Sequence, residues 1–345
     1  MRQNHEILRA APLLNASGDL TEPGWAKQLL PVYRRSDIRV SPMRIKEWDY
    51  YLITDGHIGL ALTIADNGYM GLDSVSFLDF DEKWEQTKSP MRLFPMGKTG
   101  LPESSCGGAS EIARGGYALA FYHDGDARRL SFHMDKFLHG DAIEGSITLT
   151  CAPEESMVIA TPFDKPGHFY YNQKINCMRA EGWLCVGSRR FELTPDRFFA
   201  VLDWGRGVWT YHNTWYWGSA SGELDGVPFG WNIGYGFGNT AAATENVLFY
   251  DGKIHKLGDV TFHIPKNAKG KEVYLKPWTF TSDDNRFYMD FTPVLDRSAL
   301  TSALVIKSDQ HQVFGHFTGR VTLDDGTVLP VRDFFGFAEK VENKW

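Results

Sequence analysis

The sequence predicts an all-β protein, and three observations carry the prediction. Aromatic residues make up 14% of the chain, among them 11 Trp and 14 Tyr, and such rings favour strands over helices. Runs with clean period-two alternation recur along the chain. Between them stand pairs suited to tight hairpins: Asp55-Gly56, Asn67-Gly68, Asp124-Gly125, Asp251-Gly252 and Asp325-Gly326. Helical periodicity is scarce, with one short candidate helix around Ser110 to Arg114. Sandwiches and closed barrels are the architectures to expect.

The individual runs support this. From His57 to Asp66 the even positions Ile58, Leu60, Leu62 and Ile64 are apolar, and small or polar residues alternate with them. From Ile143 to Cys151, Ile143, Ile147, Leu149 and Cys151 face one way, while Glu144, Ser146, Thr148 and Thr150 face the other. Half-buried antiparallel strands read in this manner. Between Arg44 and Tyr51, Glu47, Asp49 and Tyr51 share one face and Lys46, Trp48 and Tyr50 the other. Acids within so aromatic a strand read as a polar network at a pocket, which makes Glu47 and Asp49 candidate ligand-binding residues. The polar stretch Ser221-Gly222-Glu223-Leu224-Asp225-Gly226 marks a break, dividing the chain into β domains 1–225 and 226–345. Roughly eight strand-like runs follow it, the count that closes a small up-and-down barrel.

Composition and charge exclude several classes. A chain of 345 residues, 43% hydrophobic and 23% charged, has a globular balance and room for one large domain or two ordinary ones. A net charge of −7, with Arg34-Arg35, Arg128-Arg129 and Arg189-Arg190 standing as isolated pairs, argues against a nucleic-acid partner. The first residues contain no apolar run of the signal-peptide kind, so a cytoplasmic location is expected. No stretch is long and apolar enough for a membrane span. Cys106, Cys151, Cys177 and Cys185 lack metal-type spacing and read as free thiols. His133, Asp135 and His139 have ligand-like spacing, but Phe132 and Met134 take the alternate face, so the trio reads as solvent-facing. No metal and no cofactor is called for, and without a Gly-x-Ser-x-Gly elbow a serine hydrolase is not indicated. Oligomeric state is not encoded in any visible pattern.

The richest segment runs from Asp203 to Asn246. If Val208 to Trp217 is one strand, Trp209, Tyr211, Asn213, Trp215 and Trp217 share a face. Such a face suits a flat or amphipathic ligand, and equally a Trp-rich seam between packed sheets. Asp203 and Arg206, three residues apart with Gly205 and Gly207 beside them, read either as a fork that orients a ligand or as a structural pair locking a turn. A desolvated Asp203 could serve as a general acid. Glycines at 230, 234, 236 and 238, with Asn232 on the same parity, bare one strand face for close approach. They do not form a dinucleotide or phosphate loop, since no helix and no Lys-Ser/Thr follows. Glu245 shares parity with Val247 and Phe249, and an acid on an apolar face must be paired, with Arg206 for example, or protonated and available for proton transfer.

These segments together resemble the domain-of-unknown-function 2804 family. The likeness rests on Arg44-x-Lys-Glu-Trp-Asp-Tyr-Tyr51, Phe169-Tyr-Tyr-Asn-Gln-Lys174, Leu202-Asp-Trp-Gly-Arg-Gly-Val-Trp209, Thr244-Glu-Asn246, Pro277-Trp278, Gln312-Val-Phe-Gly315 and Phe337-Ala-Glu339. More distantly, Tyr170-Tyr171, Gly182 and the Asp203-Trp204-Gly205 block are similar to the carotenoid hydratase and lipocalin-like cyclase group. In those relatives the Asp and the Trp-Gly pair stand slightly apart, whereas here they are contiguous. The resemblance implies two lipocalin-like antiparallel β domains, sandwich or barrel, packed end to end with a pocket near their junction.

The expected partner is a small molecule. One reading is a lipocalin-like pocket that binds or transforms a small amphipathic molecule. Asp203 or Glu245 would then supply the proton, the Trp wall would shape the substrate, and Arg206, Asn232 and Asn246 would contribute polar contacts. A carbohydrate-active or carbohydrate-binding protein would use the same Trp cleft to stack on sugar rings. A structural protein with no activity would use it as inter-domain core. Whether the chain is an enzyme stays open at this level.

Overall fold

The computed structural model describes residues 4–303 and 306–344. Among them, helix is confined to two single 3₁₀ turns, Arg35–Asp37 and Pro42–Arg44. The strands assemble into a 14-stranded and a nine-stranded sheet, with one small extra ladder, Ala11–Pro12 on Pro31–Val32. Every pairing within the two large sheets is antiparallel. The five pairs named above lie between paired neighbouring strands, with positive φ at Gly56, Gly68, Gly125, Gly252 and Gly326.

In the first sheet the strands Ile58–Asp66, Ile45–Thr54, Phe199–Val208 and Phe169–Val186 lie side by side in that order. The sheet curls enough for Lys88 Nζ, at one edge, to donate to the Lys136 carbonyl several strands away. Alternation decides what fills the curl: Ile58, Leu60, Leu62 and Ile64 join Ile143, Ile147 and Leu149 in the interior. Cys151 does not follow them, because its strand ends at Thr150 and the thiol is exposed. Ser110 to Arg114 is not helical. It belongs to the strand Gly108–Arg114, whose backbone is paired with Tyr117–Asp124, burying Ser110 and exposing Glu111.

The second sheet wraps an aromatic interior that includes Phe229, Trp231, Phe280, Phe291 and Phe317. Eight of its strands follow Gly226 among the described residues, and the ninth is His212–Leu224. Sheet membership therefore changes at residues 209–211, ahead of the division expected after 225. Asp225-Gly226 is a tight hairpin, both residues at positive φ, rather than a linker. The single strand expected from Val208 to Trp217 is broken at the same place. The Asn213 side chain accepts from Thr210 Oγ1 at 2.9 Å and donates to the Thr210 carbonyl at 2.6 Å, closing a local turn where the chain passes between sheets.

The two units meet through side chains on their outward faces. Tyr50, Leu52, Ala61 and Val201 of the first pack with Trp217, Leu295, Phe314 and Phe337 of the second. The 18-residue strand Phe169–Val186 carries a bulge between Ile175 and Met178, which turns Asn176 toward the second sheet. There its Nδ2 donates to Ser219 Oγ at 2.8 Å and reaches the carbonyls of Ala220 and Trp231 at 3.1 Å. The bare face of Val227–Tyr235 is used as its glycine spacing suggested: a Cβ on Gly230 would stand 2.9 Å from Cys177 Sγ.

Candidate functional site

A cavity of about 310 Å³ opens between the two units. Its aromatic wall comes from Trp48, Tyr50 and Tyr170 of the first unit, Trp209 of the crossover, and Trp215 and Trp217 of the second. The rings brace one another, Trp209 meeting Trp48 edge-on at 5.2 Å between centroids and Trp215 at 5.8 Å. Gly205 makes this wall possible. It is the register partner of Trp48, and a Cβ there would lie 1.9 Å from an indole carbon.

The parity of Phe199–Val208 divides the Asp-Trp-Gly-Arg-Gly block between two environments. Asp203 and Gly205 face the cavity, whereas Trp204 and Arg206 face the interior of the first unit. Arg206 is wholly buried, donating to the carbonyls of Trp48, Gly205 and Pro102 at 2.8 Å and to Asp49 Oδ1 at 3.1 Å. Glu47 stands 3.9 Å from its Nε, and itself receives Tyr33 Oη at 2.8 Å and Arg35. Asp49 also accepts from Ser110. Arg206, Glu47 and Asp49 therefore form a structural cluster outside the cavity, not a ligand-orienting one. The other face of the same strand, with Trp48 and Tyr50, reaches the cavity instead.

Asp203 is paired. Its Oδ1 accepts from Lys174 Nζ at 2.8 Å and Asn172 Nδ2 at 2.6 Å, and Lys174 lies 3.8 Å over the Trp217 ring. Glu245 sits in the loop before Val247–Tyr250, its surface turned into the cavity. It is tied to Asn232, whose Nδ2 donates to it at 3.2 Å while Asn232 Oδ1 receives Trp217 Nε1 at 2.7 Å. Gly234 makes room for that carboxylate, since a Cβ there would lie 2.7 Å from Glu245 Oε1. Burial pushes the Glu245 carboxyl above its ordinary range, against the opposing pull of Lys174 and the Asn232 hydrogen bond.

A third acid, Glu339, was not singled out as a site residue from the sequence. Burial pushes it up to about 7, although Trp215 Nε1 donates to it at 2.8 Å and Lys174 and Arg297 lie nearby. The signal that marked Glu245 was present here too: Phe337, Glu339 and Val341 alternate with residues facing the opposite side of one strand. Lys174 was likewise overlooked, although it shares parity with Tyr170 and Asn172. Both close quoted motifs, Phe169–Lys174 and Phe337–Glu339.

The remaining candidates lie outside the cavity wall. Tyr211 is exposed at the crossover, and Asn213 serves the local turn described above. Asn246 holds the loop, its Oδ1 accepting from the Gly234 amide at 2.6 Å and its Nδ2 donating to the Gly258 carbonyl at 2.9 Å. Among the described residues no group of His, Cys, Asp and Glu could hold a metal ion. His133 is half-buried and bonds to Asp135 at 2.9 Å and Glu144 at 3.2 Å. No described helix is long and apolar enough to cross a membrane.

A pair of curled antiparallel β units enclosing an aromatic, acid-bearing cavity defines a tandem lipocalin-like protein. Residues 4–345 match the family described as Domain of unknown function (DUF2804), and the chain belongs to that family. No functionally curated protein is detectably similar in sequence. Two solved structures share the fold. A protein provisionally described as an AttH, from Nitrosomonas europaea, is 13% identical with a TM-score of 0.58, covering 96% of this chain and 98% of its own. Kievitone hydratase from Nectria haematococca is 11% identical with a TM-score of 0.53, over the same shares of the two chains. The expectation of two lipocalin-like β domains packed together thus holds.

Proposed function

We propose that the protein binds a small amphipathic molecule in the junction cavity and transforms it by acid–base chemistry of the hydratase or cyclase kind. One observation carries this reading: two buried carboxyls, Glu245 and Glu339, open onto an aromatic-walled hollow, and burial pushes both above the ordinary carboxylate range. A neutral carboxyl near the working pH can donate a proton. Rings that present their faces stabilise the cationic centre that forms when a double bond is protonated. Asp203, paired with Lys174 at 2.8 Å, would hold that side chain beside Trp217, next to the donors. The shared fold with a protein named as a hydratase supports the class of chemistry, not a substrate.

The test is native mass spectrometry of freshly purified protein, followed by thermal-shift screening of amphiphiles and sugars on the wild type, Glu245→Gln and Glu339→Gln. Amphiphiles should raise Tm in all three forms, and turnover of any hydrated product should fall at least about 100-fold in one glutamine variant. Shifts with sugars alone would favour the carbohydrate reading. Absence of any bound or stabilising molecule would remove the ligand reading altogether.

A further inference from the structure

The cavity wall contributed by the second sheet is ordered across the strands. Register places Arg297 beside Gln312, Gln312 beside Glu339, and Glu339 beside Trp217, one residue from each of four neighbouring strands. Directly opposed residues in such ladders stand about 5 Å apart, so Arg297 lies about 10 Å from Glu339 along this row. All four line the cavity. Asn343 lines it as well, four positions beyond Glu339 on the same strand and in the row of Ser308 rather than that of Arg297 and Gln312.

The polar groups at this end are not satisfied by the protein. Arg297 donates to Ser76 Oγ at 3.0 Å, yet among the described residues no carboxylate lies within ion-pair distance of it. Gln312 spends its Nε2 on Glu339 and on the Tyr50 hydroxyl, at 3.3 and 3.4 Å, and leaves Oε1 without a partner. Further along the same wall, Asn343 is 1% exposed and has no partner on either amide atom among the described residues. Buried amides of this kind are normally hydrogen-bonded, because an unmet group costs about 1–3 kcal/mol. Glu85 is the remaining acid at this end, at the rim, with Thr87 donating to it at 2.7 Å.

Building on the ligand reading above, we propose that Arg297 and Gln312 form an anion-binding subsite. It would take the acidic head group of an amphiphile whose apolar body lies along Trp215 and Trp217. The guanidinium supplies the fork that a carboxylate, sulfonate or phosphate needs. The free amide oxygen of Gln312 accepts from a hydroxyl near that head. The spacing along the row places the part of the ligand a few bonds from its head beside Glu339. The substrate class is an amphiphile that is anionic and hydroxylated at one end and unsaturated close to that end.

A matched pair of fluorescent probes tests this. 1-Anilinonaphthalene-8-sulfonate and N-phenyl-1-naphthylamine share one skeleton and differ in the sulfonate. The wild type should bind the sulfonate at least about tenfold more tightly, and Arg297→Gln should erase that preference while leaving the neutral probe unchanged. Arg297→Lys should retain part of it. Displacement by dodecanoate against dodecyl phosphate, each in wild type and Arg297→Gln, identifies the preferred head group. Ala65→Trp, which intrudes on the cavity wall, should weaken both probes and so place them in the cavity. Equal affinity for the two probes, unaffected by Arg297→Gln, would overturn the subsite and leave the cavity reading standing. Failure of both probes to bind would overturn the two together.

Discussion

The two faces of the strand Phe199–Val208 present the same kinds of residues put to opposite uses. On one, Arg206 is surrounded by Asp49, three main-chain carbonyls and the Trp204 ring, with its Cζ 4.2 Å from that ring's centroid. That cluster is packed and nearly saturated. On the other, Asp203 and Lys174 form a comparable ion pair, but it borders hollow space, and among the described residues no cation stands within ion-pair distance of Glu245 or Glu339 beyond it. Burial with full coordination yields structure. Burial beside an open volume yields groups whose protonation is free to change. The chemistry of a residue type therefore says less than which side of the sheet it faces.

The contrast can be broken from either side. Arg206→Ala should have the largest effect, about 3–5 kcal/mol of lost stability in denaturant titration, because it leaves Asp49 buried without its counter-ion and Glu47 with Arg35 alone. Glu339→Gln should act in the opposite direction and only at higher pH. A carboxyl raised from 4.5 to about 7 costs the fold nothing below its unfolded value. The cost grows as pH climbs from that value toward 7 and is complete above it. The glutamine variant, which keeps an acceptor for Trp215, should therefore match wild type at pH 4 and exceed it by up to about 3 kcal/mol at pH 8. Unfolding curves across that pH range read the difference directly. Asp203→Asn should cost about 2 kcal/mol, since Lys174 loses its counter-ion yet keeps its place over Trp217. A loss as large as that of Arg206→Ala would show the two clusters to be energetically alike. Tyr211→Ala, at an exposed crossover, should stay within about 0.5 kcal/mol.

Much of the fold was legible because period two and hairpin chemistry are local signals. Ile58 to Ile64 and the five Asp-Gly or Asn-Gly turns needed only neighbouring residues to be read. Trp215, Trp217, Asp203 and Glu245, which line the cavity, stand out the same way, as polar or aromatic residues in conspicuous local patterns. Arg206, Glu47 and Asp49 were misplaced, although a three-residue offset along a strand already sets Arg206 on the opposite face from Asp203. Tyr211 and Asn213 were misplaced because nothing in the residue pattern announces that the chain changes sheets at 209–211. Lys174, Arg297 and Glu339 come from strands far apart in sequence. Only register brings them together, and register between distant strands is not written in any local period.

The bulge at Asn176 has a mechanical consequence. A single side-chain amide of the first half clasps the main chain of the second there, and the cavity is lined by residues of both. Cutting the polypeptide at the crossover should leave two fragments with raw aromatic flanks, prone to clump rather than fold. The intact chain should melt as one cooperative body, and the recess should vanish in that same step.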